Sequence, residues 1–176
     1  MNKEIRVSDL NAANQHTASS AAFIAAMASA AFGVSIVTTD GHAGRFGLTV
    51  SAVSSVSAEP PLLLACINRK NLIEAAITKN QRFVVNFLSS DQAALAQTFA
   101  GRPSQGASYD FAAAKWDEVH GIPLLQGAPA NFVCDLESYV DAGTHRIFIG
   151  RVVHAMHSGS SPLVYNSRSF GKFTKV

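Results

Sequence analysis

Period-two hydrophobic patterning dominates the chain, and helical spacing is confined to three places. Residues 33–39 (GVSIVTT), 82–88 (RFVVNFL), 131–140 and 144–156 are rich in β-branched and aromatic residues and read as strands. The loop Asp40-Gly41-His42-Ala43-Gly44 turns the first of these into a hairpin whose second strand begins near Gly47. That strand reads on to Ser57, Pro60-Pro61 breaks it, and another strand covers 61–67. A turn at 158–162 leads to a short last strand at 163–166. Within 21–34, Phe23, Met27 and, less regularly, Ala30 and Ala31 recur at helical spacing and predict an amphipathic helix packed on a barrel. Asn71 with Glu74 resembles a capping box for a helix from Leu72 to about Lys79. Ser89 with Gln92 resembles another, and its helix runs to Ala100 with Gly101 as the C′ residue. Residues 102–127 read as irregular, with a short helix near 111–114. Many strands and few helices predict a mainly β barrel with flanking helices rather than a parallel α/β sheet. No repeat, linker or low-complexity tract divides the chain, so 1–176 reads as one domain with 1–18 as a loosely ordered arm.

Composition narrows the class. A chain of 176 residues buries a sizeable single core. Hydrophobic residues make up 48% and charged residues only 15%, which points to apolar surface covered by a partner subunit. A net charge of +2 gives no electrostatic basis for binding nucleic acid or an anionic membrane. Cys66 and Cys134 both sit in apolar strand patterns and read as buried free thiols in a reducing compartment, without metal-ligand spacing. Ala28-Ser29-Ala30 superficially matches a signal-peptidase site. Glu4 and Asp9 spoil a positive n-region, however, and the apolar run is too short to span a bilayer. A cytoplasmic protein is expected.

The richest chemistry lies in 44–71, GRFGLTVSAVSSVSAEPPLLLACINRKN. Split at period two, its first strand places Thr49, Ser51, Val53, Ser55 and Ser57 on one face and Leu48, Val50, Ala52, Ser54 and Val56 on the other. A row of small hydroxyls suits either solvent or a flat ligand lying close to the backbone. Beyond the second strand, Asn68-Arg69-Lys70-Asn71 opens a helix whose free N–H groups attract anions. The same residues also make an ordinary capped helix, and Glu74 competes for those N–H groups. Familiar motifs are missing. No Gly-x-Gly-x-x-Gly follows a strand, no Gly-x-Ser-x-Gly elbow exists, and 101–108 has glycines at the Walker spacing without its lysine. His154 and His157, three apart on a strand, fall on opposite faces and read as surface residues. His16, His42 and His120 lie in loops or termini. His145 begins a strand and shares a face with Ile147 and Ile149, as a rim or core histidine does.

The run AMASAAFGVSIVTTDGHAGRFGLTVSAVSSVSAEPPLLLACINRKN, with FAGR at 99–102 and AGTHRIFIG at 142–150, resembles the short flavin reductases of two-component monooxygenases, such as the reductase of 4-hydroxyphenylacetate hydroxylase. The resemblance covers about 20–171, and Thr144 stands where many members have Asp. It implies an FMN-binding split barrel, typically a homodimer with flavin near its interface. It also implies NAD(P)H-dependent reduction of FMN or FAD, by hydride transfer to flavin N5. By carry-over, Thr49, Val50 and Ser51 border the flavin ring and ribityl chain, and Ala65, Cys66 and Ile67 pass beneath it. Asn68, Lys70 and Asn71 hold the phosphate, with Phe99 and Arg102 flanking the pocket. His145 lines the nicotinamide side as the candidate catalytic residue, and Arg168 and Phe170 reach the nucleotide. The cofactors carry the electron chemistry, which fits the missing triad and carboxylate pair. Two alternatives remain: the same site feeding another acceptor such as a corrinoid or metal centre, or a flavin-binding protein without reductase activity.

Overall fold

The computed structural model describes residues 17–176; most of the expected N-terminal arm, with His16, lies outside the described residues. Among the described residues, twelve strands and three α-helices follow in chain order: α1 (Ser20–Ala28), β1 (Phe32–Gly33), β2 (Ser35–Thr39), β3 (Phe46–Val50), β4 (Val53–Ala58), β5 (Pro61–Asn68), α2 (Leu72–Asn80), β6 (Arg82–Phe87), α3 (Ala93–Phe99), β7 (Trp116–Val119), β8 (Ile122–Leu125), β9 (Ala130–Ala142), β10 (His145–His157), β11 (Leu163–Asn166) and β12 (Ser169–Lys172). A 3₁₀ turn at Phe111–Ala113 stands where the short helix was expected.

Seven strands form one antiparallel sheet in the order β3-β2-β6-β9-β10-β5-β4. β3 and β4 are consecutive in the chain yet occupy opposite edges, so the sheet curls until Ser51 and Ala52 bridge its two edges. The N–H of Cys66 donates to the carbonyl of Ala52 (2.9 Å), which extends the β4–β5 ladder one residue into the crossing. The result is a split barrel, as the strand-rich pattern and the resemblance implied. Its interior holds Val37, Leu63, Ala65, Ile67, Phe83, Val85 and Phe148, and α2 contributes Ile73 and Ile77. β2 is buried along its whole length because α3 and β8 cover its outer side. Asn86 docks β8 through a satisfied network. Its Nδ2 donates to the Ile36 carbonyl and Thr38 Oγ1, and its Oδ1 accepts from Leu125 N–H and Asn131 Nδ2. A buried amide with all these partners specifies position without an unpaired polar atom.

Several expectations need correction. The single strand to Ser57 is two strands, because the backbone leaves the sheet at Ser51-Ala52 to cross the seam. The continuous hydroxyl face therefore does not form: Thr49 stays on β3, while Ser55 and Ser57 lie on the far edge. Residues 102–127 contain the hairpin β7–β8, turned at His120 (φ 54°) and Gly121 (φ 79°). The chain does not end its strands at 166, since β12 pairs back on β11. α1 buries no residue in this chain, leaving Phe23, Ile24 and Met27 exposed. Its apolar residues outnumber its polar ones all round, so no amphipathic face directs it onto the barrel. Cys134 is buried but Cys66 only half so, because alternation along β5 turns its side chain away from Ala65 and Ile67.

Candidate functional site

Three elements enclose a cavity of about 480 Å³ at the seam. The end of β3 supplies Thr49, Val50 and Ser51, the end of α3 supplies Gln97, Ala100 and Arg102, and the β11–β12 turn supplies Tyr165, Arg168, Ser169 and Phe170. Local chemistry places each wall. Thr49 Oγ1 donates to the Ala96 carbonyl (2.8 Å), fastening β3 to α3. Gly101 (φ 73°) ends α3 in a Schellman arrangement: its N–H reaches the Thr98 carbonyl, and the Arg102 N–H reaches that of Gln97. The expected C′ glycine thus turns Arg102 into the cavity. Ser167 (φ 50°) and Arg168 (φ 63°) form a tight turn in left-handed backbone that favours glycine or asparagine. The turn is pinned from outside, where Ser167 N–H donates to the Ala28 carbonyl (2.7 Å) and Asn166 Nδ2 to that of Ser29 (2.9 Å). No carboxylate lines this cavity, and neither arginine joins an ion pair among the described residues. The site is cationic, with hydroxyls from Ser51 and Ser169 and apolar surface from Val34, Val50 and Phe170.

A second group of expected residues lies at the start of α2. Asn71 caps the helix, its Oδ1 accepting from Ile73 N–H, and Asn68 Oδ1 accepts from Lys70 N–H. Glu74 does not complete a capping box. It lies 2.5 Å from Arg146, which also grips Asp141 and stacks on the Tyr139 ring at 4.1 Å. The hydrogen bond from Arg146 holds the Asp141 carboxyl below its usual range. Glu74 is thereby drawn off the helix N–H groups for which it was expected to compete. The Arg69 N–H donates to the Thr144 carbonyl and ties this loop to the β9–β10 turn.

The structure brings together Thr49, Val50, Ser51, Arg102, Arg168 and Phe170 around one cavity. Asn68, Lys70, Asn71 and His145 stand together at the other end of β5. His145 is exposed, opposite Asn68 in the ladder, with Nδ1 2.9 Å from Thr144 Oγ1, and it does not line the main cavity. Ala65 and Ile67 point into the core. Phe99 is fully buried against Phe111 and Trp116, so it backs the wall and Gln97 and Ala100 face the cavity instead. Gln97, Tyr165 and Ser169 were missed. Helical position relative to Phe99 could have found Gln97, whereas the other two depend on the unrecognised β11–β12 turn.

A split barrel with a cationic, hydroxyl-lined cavity at its seam suits a planar ligand that carries phosphate. The profile of the flavin reductase like domain matches residues 27–174. FMN reductase (NADH) RutF of Bradyrhizobium diazoefficiens is 40% identical over 147 residues, covering 82% of this chain and 81% of that protein. Flavin reductase PheA2 superimposes with a TM-score of 0.82 at 30% identity, covering 90% of this chain and all of that one. BorF, the flavin reductase component of a bacterial two-component tryptophan halogenase, gives 0.79 at 31%, again over 90% of this chain and all of the other. The chain belongs to the flavin reductase like family, and by class it is an NAD(P)H:flavin oxidoreductase with flavin as cofactor and a reduced nicotinamide nucleotide as co-substrate. The residues fit such a ligand set: the cavity volume falls in the ordinary range for small-molecule sites, and two free arginines with no opposing carboxylate suit phosphorylated ligands.

Proposed function

We propose that the protein is the reductase component of a two-component monooxygenase and passes reduced flavin to an oxygenase partner. A bound flavin would supply the hydride acceptor for the reduced nicotinamide, and that pair would carry the electron chemistry. The protein's task is placement. Thr49, Val50 and Ser51 border the ring, and backbone groups of Ala65, Cys66 and Ile67 pass beneath it. Lys70, Asn68 and Asn71 hold the phosphate, helped by the cationic end of α2. Arg168 and Phe170 receive the nucleotide opposite Arg102. His145 orients the carboxamide from the β10 side. Holding two rings at about 3–3.5 Å is worth a large share of the barrier, which is why no acid–base apparatus is needed. The observation that carries this reading is the convergence of β3, Arg102 and Arg168 on one cavity without a carboxylate. Similarity to BorF, the reductase component of a two-component halogenase, supports a separate partner that receives the reduced flavin.

The whole chain acts as one domain, and two copies pair. Phe23, Ile24 and Met27 of α1 stand exposed, and an apolar groove of about 330 Å³ runs beside β4 past Leu63, Phe87, Phe132 and Val152. A second copy covering these faces accounts for the low surface charge. Among the described residues no helix is long and apolar enough to cross a membrane; the cytoplasmic assignment rests on the sequence pattern. Steady-state NADH oxidation with excess free FMN tests the function. A reductase turns over many equivalents of flavin, whereas stoichiometric or no oxidation would leave only a flavin carrier. Faster turnover with a corrinoid than with free flavin would redirect the electrons to another acceptor.

A further inference from the structure

Arg168 stands on a boundary between two spaces. With Ser51 and Tyr165 it lines the main cavity, and with the same two residues it lines an apolar groove of about 320 Å³ along α1, past Phe23, Ile24 and Met27. The backbone of the turn decides which way a side chain so placed is aimed, and that backbone is hard to hold. Ser167 and Arg168 are consecutive residues in left-handed backbone, φ 50° and 63°, and neither is glycine, asparagine or aspartate. Both are exposed, so burial does not fix them. β12 is an edge strand that pairs with β11 alone, in a three-stranded sheet apart from the seven-stranded one. The hold comes from α1. The carbonyls of Ala28 and Ser29 close that helix, where no further turn supplies an N–H to them. Ser167 N–H takes the first (2.7 Å) and Asn166 Nδ2 the second (2.9 Å). Among the described residues, no other hydrogen bond ties 166–169 to anything beyond β11 and β12. The Ser167 bond is made by main chain and lasts as long as the turn keeps its shape. The Asn166 amide is the side chain that enforces the shape, and only its NH₂ end can donate to a carbonyl.

We infer that Asn166 is a positioning residue: by fastening the β11–β12 turn to the end of α1, it keeps Arg168 aimed into the main cavity. The inference rests on the reading that Arg168 receives the nicotinamide nucleotide there. Asn166 does not itself line the cavity, so its contribution passes through Arg168. Without the amide the left-handed turn relaxes, and the guanidinium is free to leave the cavity for the α1 side. The loss falls on nucleotide binding and spares the chemical step, because a contact remote from the reacting atoms acts on KM rather than kcat. α1 thereby serves the site although none of its residues lines the main cavity.

The experiment is steady-state NADH oxidation by the full chain with saturating FMN, comparing KM for NADH with kcat. Asn166→Leu keeps the bulk of the side chain and removes the donor. It should raise KM roughly five-fold or more and leave kcat within about two-fold. Asn166→Ala should do the same, and carries the test if Asn166→Leu does not fold. Arg168→Ala should raise KM at least as much, and adding Asn166→Leu to it should change KM by no more than about two-fold further, since the two residues act as one unit. In the Asn166→Leu protein, Ser167→Gly should restore most of the lost KM, because glycine adopts left-handed backbone without steric cost. Asn166 variants with the KM of wild type, beside an Arg168→Ala protein whose KM rises, would overturn the positioning role alone. So would losses that multiply in the combined variant, a fall confined to kcat or to stability, or no rescue by Ser167→Gly. An Arg168→Ala protein with unchanged KM would defeat the underlying reading of Arg168, and the inference with it.

Discussion

Gly47→Ala tests the packing that shapes the cavity wall. A Cβ at Gly47 would lie 2.5 Å from Cε1 and 2.7 Å from Cδ1 of Phe99, and 3.1 Å from Cζ of Phe111. The shortest approach is roughly 0.9 Å inside ordinary contact. Phe99 has nowhere to retreat: it is fully buried, with the Phe111 and Trp116 ring centroids 5.0 and 5.7 Å away. Overpacking of this kind costs about 1–3 kcal/mol, against which alanine recovers about 0.5–1 kcal/mol of strand entropy. A net loss of about 1–2 kcal/mol lowers the Tm of a chain this size by roughly 2–8 °C. Phe99 is on the last turn of α3, so its displacement also moves Gln97, Ala100 and Arg102. Flavin affinity should fall with stability. The assays are urea unfolding of the flavin-free protein and flavin titration. Phe99→Leu, which shortens the ring, should partly rescue Gly47→Ala on both readouts. A Gly47→Ala protein of wild-type stability, or a double variant whose losses simply add, would refute the packing argument.

Three further outcomes are expected. Lys70→Ala should weaken FMN by roughly ten-fold or more, as loss of a charge-assisted phosphate contact does, and leave riboflavin unaffected; unchanged FMN affinity would remove Lys70 from the phosphate. His145→Ala should slow stopped-flow hydride transfer more than it weakens flavin binding, and equal loss of both, or of neither, would take it off the nicotinamide side. Burial pushes the Cys134 thiol up to about 12 from an ordinary value of 9.0, so the folded state holds a proton that the unfolded chain releases. Stability from this residue is complete below about pH 9 and is lost as pH rises toward 12, by up to ~1.4 kcal/mol per pH unit; Cys134→Ala should flatten that slope in urea unfolding, and an unchanged slope would contradict the assignment.

Much of the fold was legible because its signals are local. The β2–β3 hairpin, the Asn71 cap and the Gly101 C′ residue each follow from a few neighbouring side chains, and each stands where expected. What the pattern hid depends on distant partners. The break at Ser51-Ala52 comes from the chain crossing between the two edges of the curled sheet, and period two runs through it undisturbed. The β11–β12 turn uses Ser167 and Arg168 with positive φ, where a sequence reading looks for Asn-Gly, and its pins come from α1. His120-Gly121 did carry a hairpin signal, but Pro123 inside the following strand masked it. Glu74 fitted a capping box in sequence, while Arg146, 72 positions later and brought beside it by β10, decides where its carboxylate goes. In the site, Thr49 to Ser51 and Arg102 were within reach of motif reading. The inward burial of Phe99 was not, because it depends on Trp116 and Phe111 closing over α3.

The most direct measurement is a crystal structure of the protein grown with FMN. The isoalloxazine should lie against Thr49–Ser51 at the barrel seam, within reach of Arg102 and Arg168, with its phosphate at Lys70 and Asn71. A flavin seated elsewhere on the barrel, or protein that stays colourless in saturating FMN and shows an empty seam, would contradict it.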